Sequence, residues 1–452
     1  ASIAPSPPTN TVILTETASN IRRLIAILES IDVETYKEEL SVIRIEHADA
    51  ATLAEQVSEI YGPEVAPPYE RPTLSKAYLR GEASFDTALV RPATFYAEHG
   101  ITTMFGRRAV RIDSSARVVE LENQHRIPFD TLLIASGGRN RRISIPGSDL
   151  EGIYSLRTVQ DADRIRTEMI AGRRAVVVGM GFIGSEVAAS LRQKSVEVVA
   201  IDPSKTPLFR VLGETIGQTI ADLHRAHGVE TIFEDTVSAF EGTRRVARVV
   251  TRNGLRVDCD FVVVGIGIEP AVGFLTDSGV EVDNGVVVDE YCRTNVDGIY
   301  AAGDLANHYH PVFNRRLRVE HWHNALKQGA AAARNMLGRR VAYDEMHWFW
   351  SDQYDANLQY AGFHTTWQEL VVRGRLDSDS FLACYVNDGR IDAAVALNRA
   401  RDLRRIMPLI KARDKVNLDQ LRDDRIDLRS LRGPRDAHLG TLVAANPPKR
   451  GV

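Results

Sequence analysis

Short apolar blocks alternate with polar ones along this chain, and their periods separate strands from helices. Residues 11–15 (TVILT) form a β-branched run that predicts a strand. Ile21, Leu24, Ile25, Leu28 and Ile31 then recur at helical spacing, with Arg22, Arg23 and Glu29 off that face. Residues 41–45 (SVIRI) predict another strand, and Leu53, Val57 and Ile60 a second helical stripe behind the candidate N-cap Asp49. A Pro-rich joint at 62–68 separates this segment from different material. Beyond it, residues 129–138 predict a strand ending in a small-residue turn. Residues 175–178 and 196–201 predict buried strands on either side of a helix, and residues 261–264 a further one. A helix is expected over 323–337, short strands with charged helical stretches to about 431, and a loose polar tail from 433. Strands alternating with helices predict an α/β protein.

The turn between the 175–178 strand and its helix reads Gly179-Met180-Gly181-Phe182-Ile183-Gly184, and Asp202 closes the next strand. Strand, glycine turn, helix, strand and acid in that order predict a dinucleotide site. Glycines let the backbone approach a pyrophosphate, and the helix N-terminus faces its charge. Asp202 is expected to accept from the adenosine ribose hydroxyls and to repel a 2′-phosphate, favouring NADH over NADPH.

Composition narrows the remaining choices. A hydrophobic content of 44% with 26% charged residues over 452 positions is that of a globular protein, large enough for several domains. A net charge of −4 argues against a general nucleic-acid binder. No apolar run is long enough to predict a membrane span. Residues 1–8 lack the basic and apolar regions of a signal peptide, so a cytoplasmic location is expected. Cys259, Cys292 and Cys384 form no redox or zinc spacing, and Cys292 and Cys384 fall in strand-like runs. His308, His310, His321 and His323 carry metal-like spacing, but no Cys or clustered carboxylate completes a set, so no metal is expected. The basic run Arg399, Arg401, Arg404, Arg405, Lys411, Arg413 and Lys415 is interleaved with Asp402 and Asp414 and reads as a solvated helix face, with a surface that steers an acidic partner as the alternative.

Five motifs in order resemble the FAD-dependent ferredoxin reductases of oxygenase systems, the putidaredoxin/rhodocoxin reductase-like family. They are PYERPTLSKAYL at 68–79, GMGFIGSEVA at 179–188, GIYAAGD at 298–304, VEHWHNALKQG at 319–329 and FWSDQYDANLQYAG at 349–362. The resemblance covers about residues 62–431. It implies a glutathione-reductase-like α/β architecture: a flavoprotein with two dinucleotide-binding domains and a C-terminal α+β domain. The implied cofactors are FAD and NADH, the implied partner is a [2Fe–2S] ferredoxin, and the oligomeric state stays open. The implied division places FAD at 62–154 with 271–337, NAD at 155–270, an interface domain at 338–431 and a tail at 432–452.

The same resemblance assigns residues. Lys76, Glu186 and Trp322 are expected at the reacting centre. FAD contacts are expected from Glu64, Arg71, Lys76, Ala135, Ser136, Gly137, Gly303 and Asp304, and NAD contacts from the 179–184 turn with Glu186 and Asp202. Gly267, Glu320, His321 and Trp322 complete the cofactor-binding set. No cysteine precedes Cys259, so the thiol relay of disulfide reductases is not expected.

One feature departs from that family. Residues 1–61 contain no glycine, although the chain has 32, and Glu16 and Thr17 stand where a first FAD glycine turn belongs. Weak FAD retention is therefore expected. Residues 1–61 instead resemble the small α/β N-domains of bacterial secretins. That leaves a second reading: a non-catalytic fusion or assembly protein carrying a secretin-type module on an impaired reductase body.

Overall fold

A computed structural model of the chain describes residues 2–6, 11–15 and 59–431. The chain divides into two compact units, residues 1–56 and 57–452. In the first, Ser2–Ser6 pairs antiparallel with Thr11–Thr15, Ser2 opposite Thr15. The strand expected at 11–15 is present. The helical stripe at 21–31, the strand at 41–45, most of the secretin-like segment and the polar tail lie outside the described residues.

The second unit begins with a correction. Ile60 was expected on a helical stripe, but Glu59–Gly62 is a strand, paired parallel with Thr102–Phe105. A partner strand 40 residues away overrides the local period, because Ile and Tyr suit a pleated ladder.

The nucleotide-binding region is built on a parallel sheet in the order Ile153–Tyr154, Phe261–Val264, Arg174–Val178, Glu197–Asp202, Val229–Phe233. Its central strands are buried on both faces, which explains their unbroken valine runs. Ala175 and Val177 face Val187, Ala188 and Leu191 of the Phe182–Gln193 helix. Val176 and Val178 point the other way, with Phe240, Val249 and Val257 of an antiparallel three-stranded sheet. Each such valine contributes about 1.5–3 kcal/mol on burial, so alternate residues of one strand hold two layers together.

Two further pairings frame the flavin-like region. Leu132–Ile134 runs parallel to Ile299–Ala301, and Gly138–Asn140 pairs antiparallel with Ile268–Pro270. The Ala306–His310 strand lies between Val286–Val288 and Arg315–Arg318. The helix expected at 323–337 is found at Trp322–Met336.

The C-terminal part is an antiparallel sheet in the order Trp348–Gln353, Ala356–Gly362, Arg390–Leu397, Phe381–Asn387, Glu369–Gly374. Leu403, Ile406 and Ile410 of the Ala400–Ala412 helix cover one face. Leu212, Ile216 and Ile220 of the Phe209–Ala226 helix pack on the other, against Tyr360 and Tyr385. The architecture is α/β with a C-terminal α+β part. Cys384 lies in a strand as expected, whereas Cys292 occupies a turn at φ +63°, where no strand continues. Among the described residues no helix is long and apolar enough to cross a membrane.

Candidate functional site

The glycine turn between Arg174–Val178 and Phe182–Gln193 is built by close backbone approach. Gly179 has φ +92°, and a Cβ there would come within 2.6 Å of the Gly265 carbonyl. A Cβ on Gly184 would lie 1.8 Å from the Gly179 carbonyl oxygen. Gly181 differs: nothing approaches its Cβ position within 4 Å, and as N-cap it makes no side-chain cap. The first-turn amides of a helix have no intrahelical acceptor, so this end offers donors to an anion over open space. Ile183, 43% exposed, lies beside them. These residues fit a dinucleotide pyrophosphate.

Asp202 ends the neighbouring strand as expected, yet its carboxylate is already engaged. It accepts from the Met180 amide at 2.6 Å and the Ser204 amide at 2.7 Å. The acid thus holds the turn in place while keeping spare lone pairs for a ligand hydroxyl.

Glu186 is the centre of a buried polar joint. It is 4% exposed and one turn along the helix from Phe182. Lys76 Nζ approaches it at 2.8 Å, Ser351 donates to it at 2.8 Å, and the Ser75 hydroxyl donates to it as well. Three separate segments therefore meet on one carboxylate: the 68–79 motif, the nucleotide helix and the first C-terminal strand. Lys76 also donates to the Pro72 carbonyl, 3.1 Å away. Phe182 packs edge-on against Phe349 and His321, and His321 stacks on Phe349 with centroids 4.1 Å apart. Burial, then the nearby His323, lowers His321 to about 4, so it is neutral at pH 7. Trp322 is placed separately, edge-on to Trp350, which in turn stacks on Trp348. The strand that supplies Ser351 thus also supports Trp322.

The expected flavin residues form a second network. Arg71 pairs with Glu64 and donates to Tyr69 Oη at 3.2 Å and to the Arg157 carbonyl at 2.6 Å. Burial, opposed by Arg71 and reinforced by Glu64, pushes the Tyr69 phenol well above its ordinary value; it stays protonated and donates to Glu64. Arg157 pairs with Asp304 at 3.1 Å and reaches within 3.1 Å of the Cβ position of Gly137. Gly137 and Gly303 both have positive φ, +63° and +85°, which leaves their backbones open to close approach. The Gly303 amide donates to Gln328 at 2.8 Å. Arg318 donates to the Asp304 carbonyl and to Glu320, at 3.0 and 2.5 Å. Ala135 and Ser136 are exposed beyond the Leu132–Ile134 strand, and Ser136 donates to the Ala271 carbonyl at 2.9 Å. Gly267, φ +93°, accepts from the Arg141 amide at 3.0 Å. These groups fit the ribityl and ring portions of a flavin: hydroxyl acceptors, a cation and two glycine backbones.

Sequence reasoning missed Arg157, Gln328, Ser75 and Ser351. Arg157 carried a faint signal, standing beside Thr158 and Asp161, whose capping box starts a helix. Ser351 stands inside the 349–362 motif, but nothing local records its bond to Glu186. The three cysteines are free and buried, and burial pushes each thiol up to about 12. The basic run is largely ion-paired: Arg399 and Arg405 to Asp402, Lys411 to Asp344, Arg413 to Asp392.

Residues 47–329 match the pyridine nucleotide-disulphide oxidoreductase family, and residues 348–432 match the reductase C-terminal family. The first match begins upstream of the joint at Gly62, within the segment that resembles secretin N-domains. The chain is 35% identical to rhodocoxin reductase of Rhodococcus erythropolis over 87% of its length and 92% of the relative's. It is 38% identical to the ferredoxin–NAD(+) reductase component of the anthranilate 1,2-dioxygenase system of Burkholderia cepacia, over 80% and 90% respectively. A solved covalent putidaredoxin reductase–putidaredoxin complex contains a similar chain: TM-score 0.81, 31% identity, 84% of this chain and 93% of that one.

Proposed function

The chain belongs to the pyridine nucleotide-disulphide oxidoreductase family, among the ferredoxin reductases of oxygenase systems, and from that premise we propose that it carries electrons from NADH through FAD to a [2Fe–2S] ferredoxin in the cytoplasm. FAD supplies the conversion of a two-electron hydride donor into a source of single electrons. Gly179, Gly181, the first-turn amides and Asp202 hold the nicotinamide dinucleotide. Glu64, Arg71, Gly137, Arg157, Gly303 and Asp304 hold the flavin. We assign the flavin part to 62–154 and 271–337, with the Glu59–Gly62 strand added upstream, the NAD part to 155–270 and the interface part to 338–431.

The observation that carries this reading is the Glu186 joint. Lys76, Ser75 and Ser351 fix the nucleotide helix against both the flavin-side motif and the C-terminal strand. The helix end that receives the dinucleotide is thereby held beside the Phe182, His321 and Phe349 rings. Such pre-orientation lowers the cost of bringing two rings together. No thiol takes part, because all three are buried and held protonated. Asp202 selects NADH, since a 2′-phosphate would meet a fixed carboxylate.

The purified full chain should show flavin absorbance that NADH bleaches under anaerobic conditions, and reduced protein should then reduce a [2Fe–2S] ferredoxin. Failure to take up FAD together with absent NADH-dependent dye reduction would overturn the assignment.

A further inference from the structure

Three histidines outside the redox site converge in the interior. His308 and His310 share one face of the Ala306–His310 strand, and His347 immediately precedes the Trp348–Gln353 strand. They are 1%, 0% and 4% exposed. One ring nitrogen from each can be chosen so that all lie within 4.8 Å of one another. Both nitrogens of His308, Nδ1 of His310 and Nε2 of His347 are buried without a hydrogen-bond partner. An unpaired buried polar atom costs about 1–3 kcal/mol, so one such nitrogen on each of three rings calls for a shared partner, while the other His308 nitrogen has the Ala306 and Leu317 backbone beside it.

The chemistry of the set identifies that partner. Burial pushes all three imidazoles down, His308 to about 3, which keeps them in the neutral, ligating form. His310 Nε2 donates to the Glu345 carbonyl at 2.9 Å, which leaves the lone pair on Nδ1, its unpartnered atom. That outer hydrogen bond is the usual way a metal-binding imidazole is oriented. A metal–nitrogen length of about 2.1 Å separates tetrahedral ligands by roughly 3.4 Å, so the widest pair must close by roughly 1.4 Å. Rotation about the broad histidine χ2 achieves this. Three imidazoles with no thiolate favour Zn²⁺, Co²⁺, Ni²⁺ or Cu²⁺ over Mg²⁺ or Ca²⁺. Phe313 lies over His310 and His347, with centroids 4.6 and 5.6 Å away, and also lines a solvent-open groove, so the site is one ring deep.

We propose that His308, His310 and His347 bind one divalent transition-metal ion, which ties the Ala306–His310 strand to the start of the C-terminal sheet. The expectation of no metal rested on neighbours in sequence. His321 and His323 lie near His347 but outside the set whose nitrogens converge, and the third ligand comes from beyond the motif.

The test uses the full chain, stripped with EDTA, dialysed and then resupplied with FAD. Calorimetric titration with ZnCl₂ should give one ion per chain and a raised Tm, and Co²⁺ should add visible bands to the red of the flavin. H347Q, H310Q and H308Q should each weaken Zn²⁺ binding at least tenfold while NADH-dependent dye reduction stays unchanged. No stoichiometric uptake by the wild-type chain, or uptake that all three variants retain, would overturn the proposal. If the variants fail to fold, the wild-type stoichiometry and the Co²⁺ spectrum decide alone: a cluster holding only water takes up neither ion.

Discussion

Replacing Asp202 separates two roles that the structure assigns to one carboxylate. In Asp202→Ala the Met180 amide loses its 2.6 Å acceptor inside a residue that is 0% exposed, whereas the partly exposed Ser204 amide can turn to water. Hydrogen bonds to a charged acceptor contribute about 1.5–3 kcal/mol, so the turn should weaken by about 2 kcal/mol. Loss of the ribose acceptor adds a similar amount, but only for bound nucleotide. The specificity constant for NADH should therefore fall about thirtyfold, roughly 2 kcal/mol. NADPH should lose less, because removing the carboxylate also removes repulsion of its 2′-phosphate, and the preference for NADH should narrow. Asp202→Asn keeps an acceptor oxygen for Met180 and removes the charge, so it should narrow the preference with a smaller fall in Tm. Steady-state reduction of a dye with each cofactor, paired with thermal melts, reads both effects. A falling Tm with an unchanged NADH/NADPH ratio would refute the ribose role and leave Asp202 as a turn anchor alone.

Glu186→Gln retains hydrogen-bonding capacity toward Ser75 and Ser351 but leaves Lys76, 13% exposed, without its counter-charge; a loss of about 2–3 kcal/mol is expected, with slower flavin reduction by NADH in stopped flow, and wild-type values for both would detach the joint from the reaction. Replacing all three cysteines should leave the flavin-reduction rate per bound FAD within about threefold, and a hundredfold loss, roughly 2.7 kcal/mol of barrier, would restore a thiol relay. FAD should dialyse away more readily than from a relative whose first turn carries glycines; stoichiometric flavin after extensive dialysis would show that residues 1–58 supply a phosphate site. Burial lowers His224 to about 4, below its unfolded value, so the unfolded chain binds more protons between these values; stability is full above about 6.5 and falls as pH drops toward 4, by about 2 kcal/mol at pH 5, and His224→Gln should flatten that slope in urea unfolding.

What the sequence discloses depends on how far away each side chain's partner lies. The glycine turn, its two flanking strands and the Trp322–Met336 helix are local statements: a close backbone contact or a 3.6-residue period is written within a few positions. They emerged where expected. Ile60 failed because the strand that claims it sits at 102–105, and no local period records a ladder partner. Glu186 was legible as a residue but not as a joint, since Ser75 and Ser351 stand 111 and 165 positions from it. Asp202 was read as a ligand acid alone for the same reason: its bond to Met180 crosses from one strand end to the next. The histidines make the point most sharply. Four of them clustered in sequence look like one candidate set, yet folding keeps His308 and His310 together, sends His321 to Phe349, and brings in His347. The local reading weighed two of these three side chains, and the third, His347, comes beside them only once the Ala306–His310 strand and the C-terminal sheet are in contact. Residues that join segments are therefore the ones a single sequence hides, and in this fold the Glu186 joint and the histidine cluster are both of that kind.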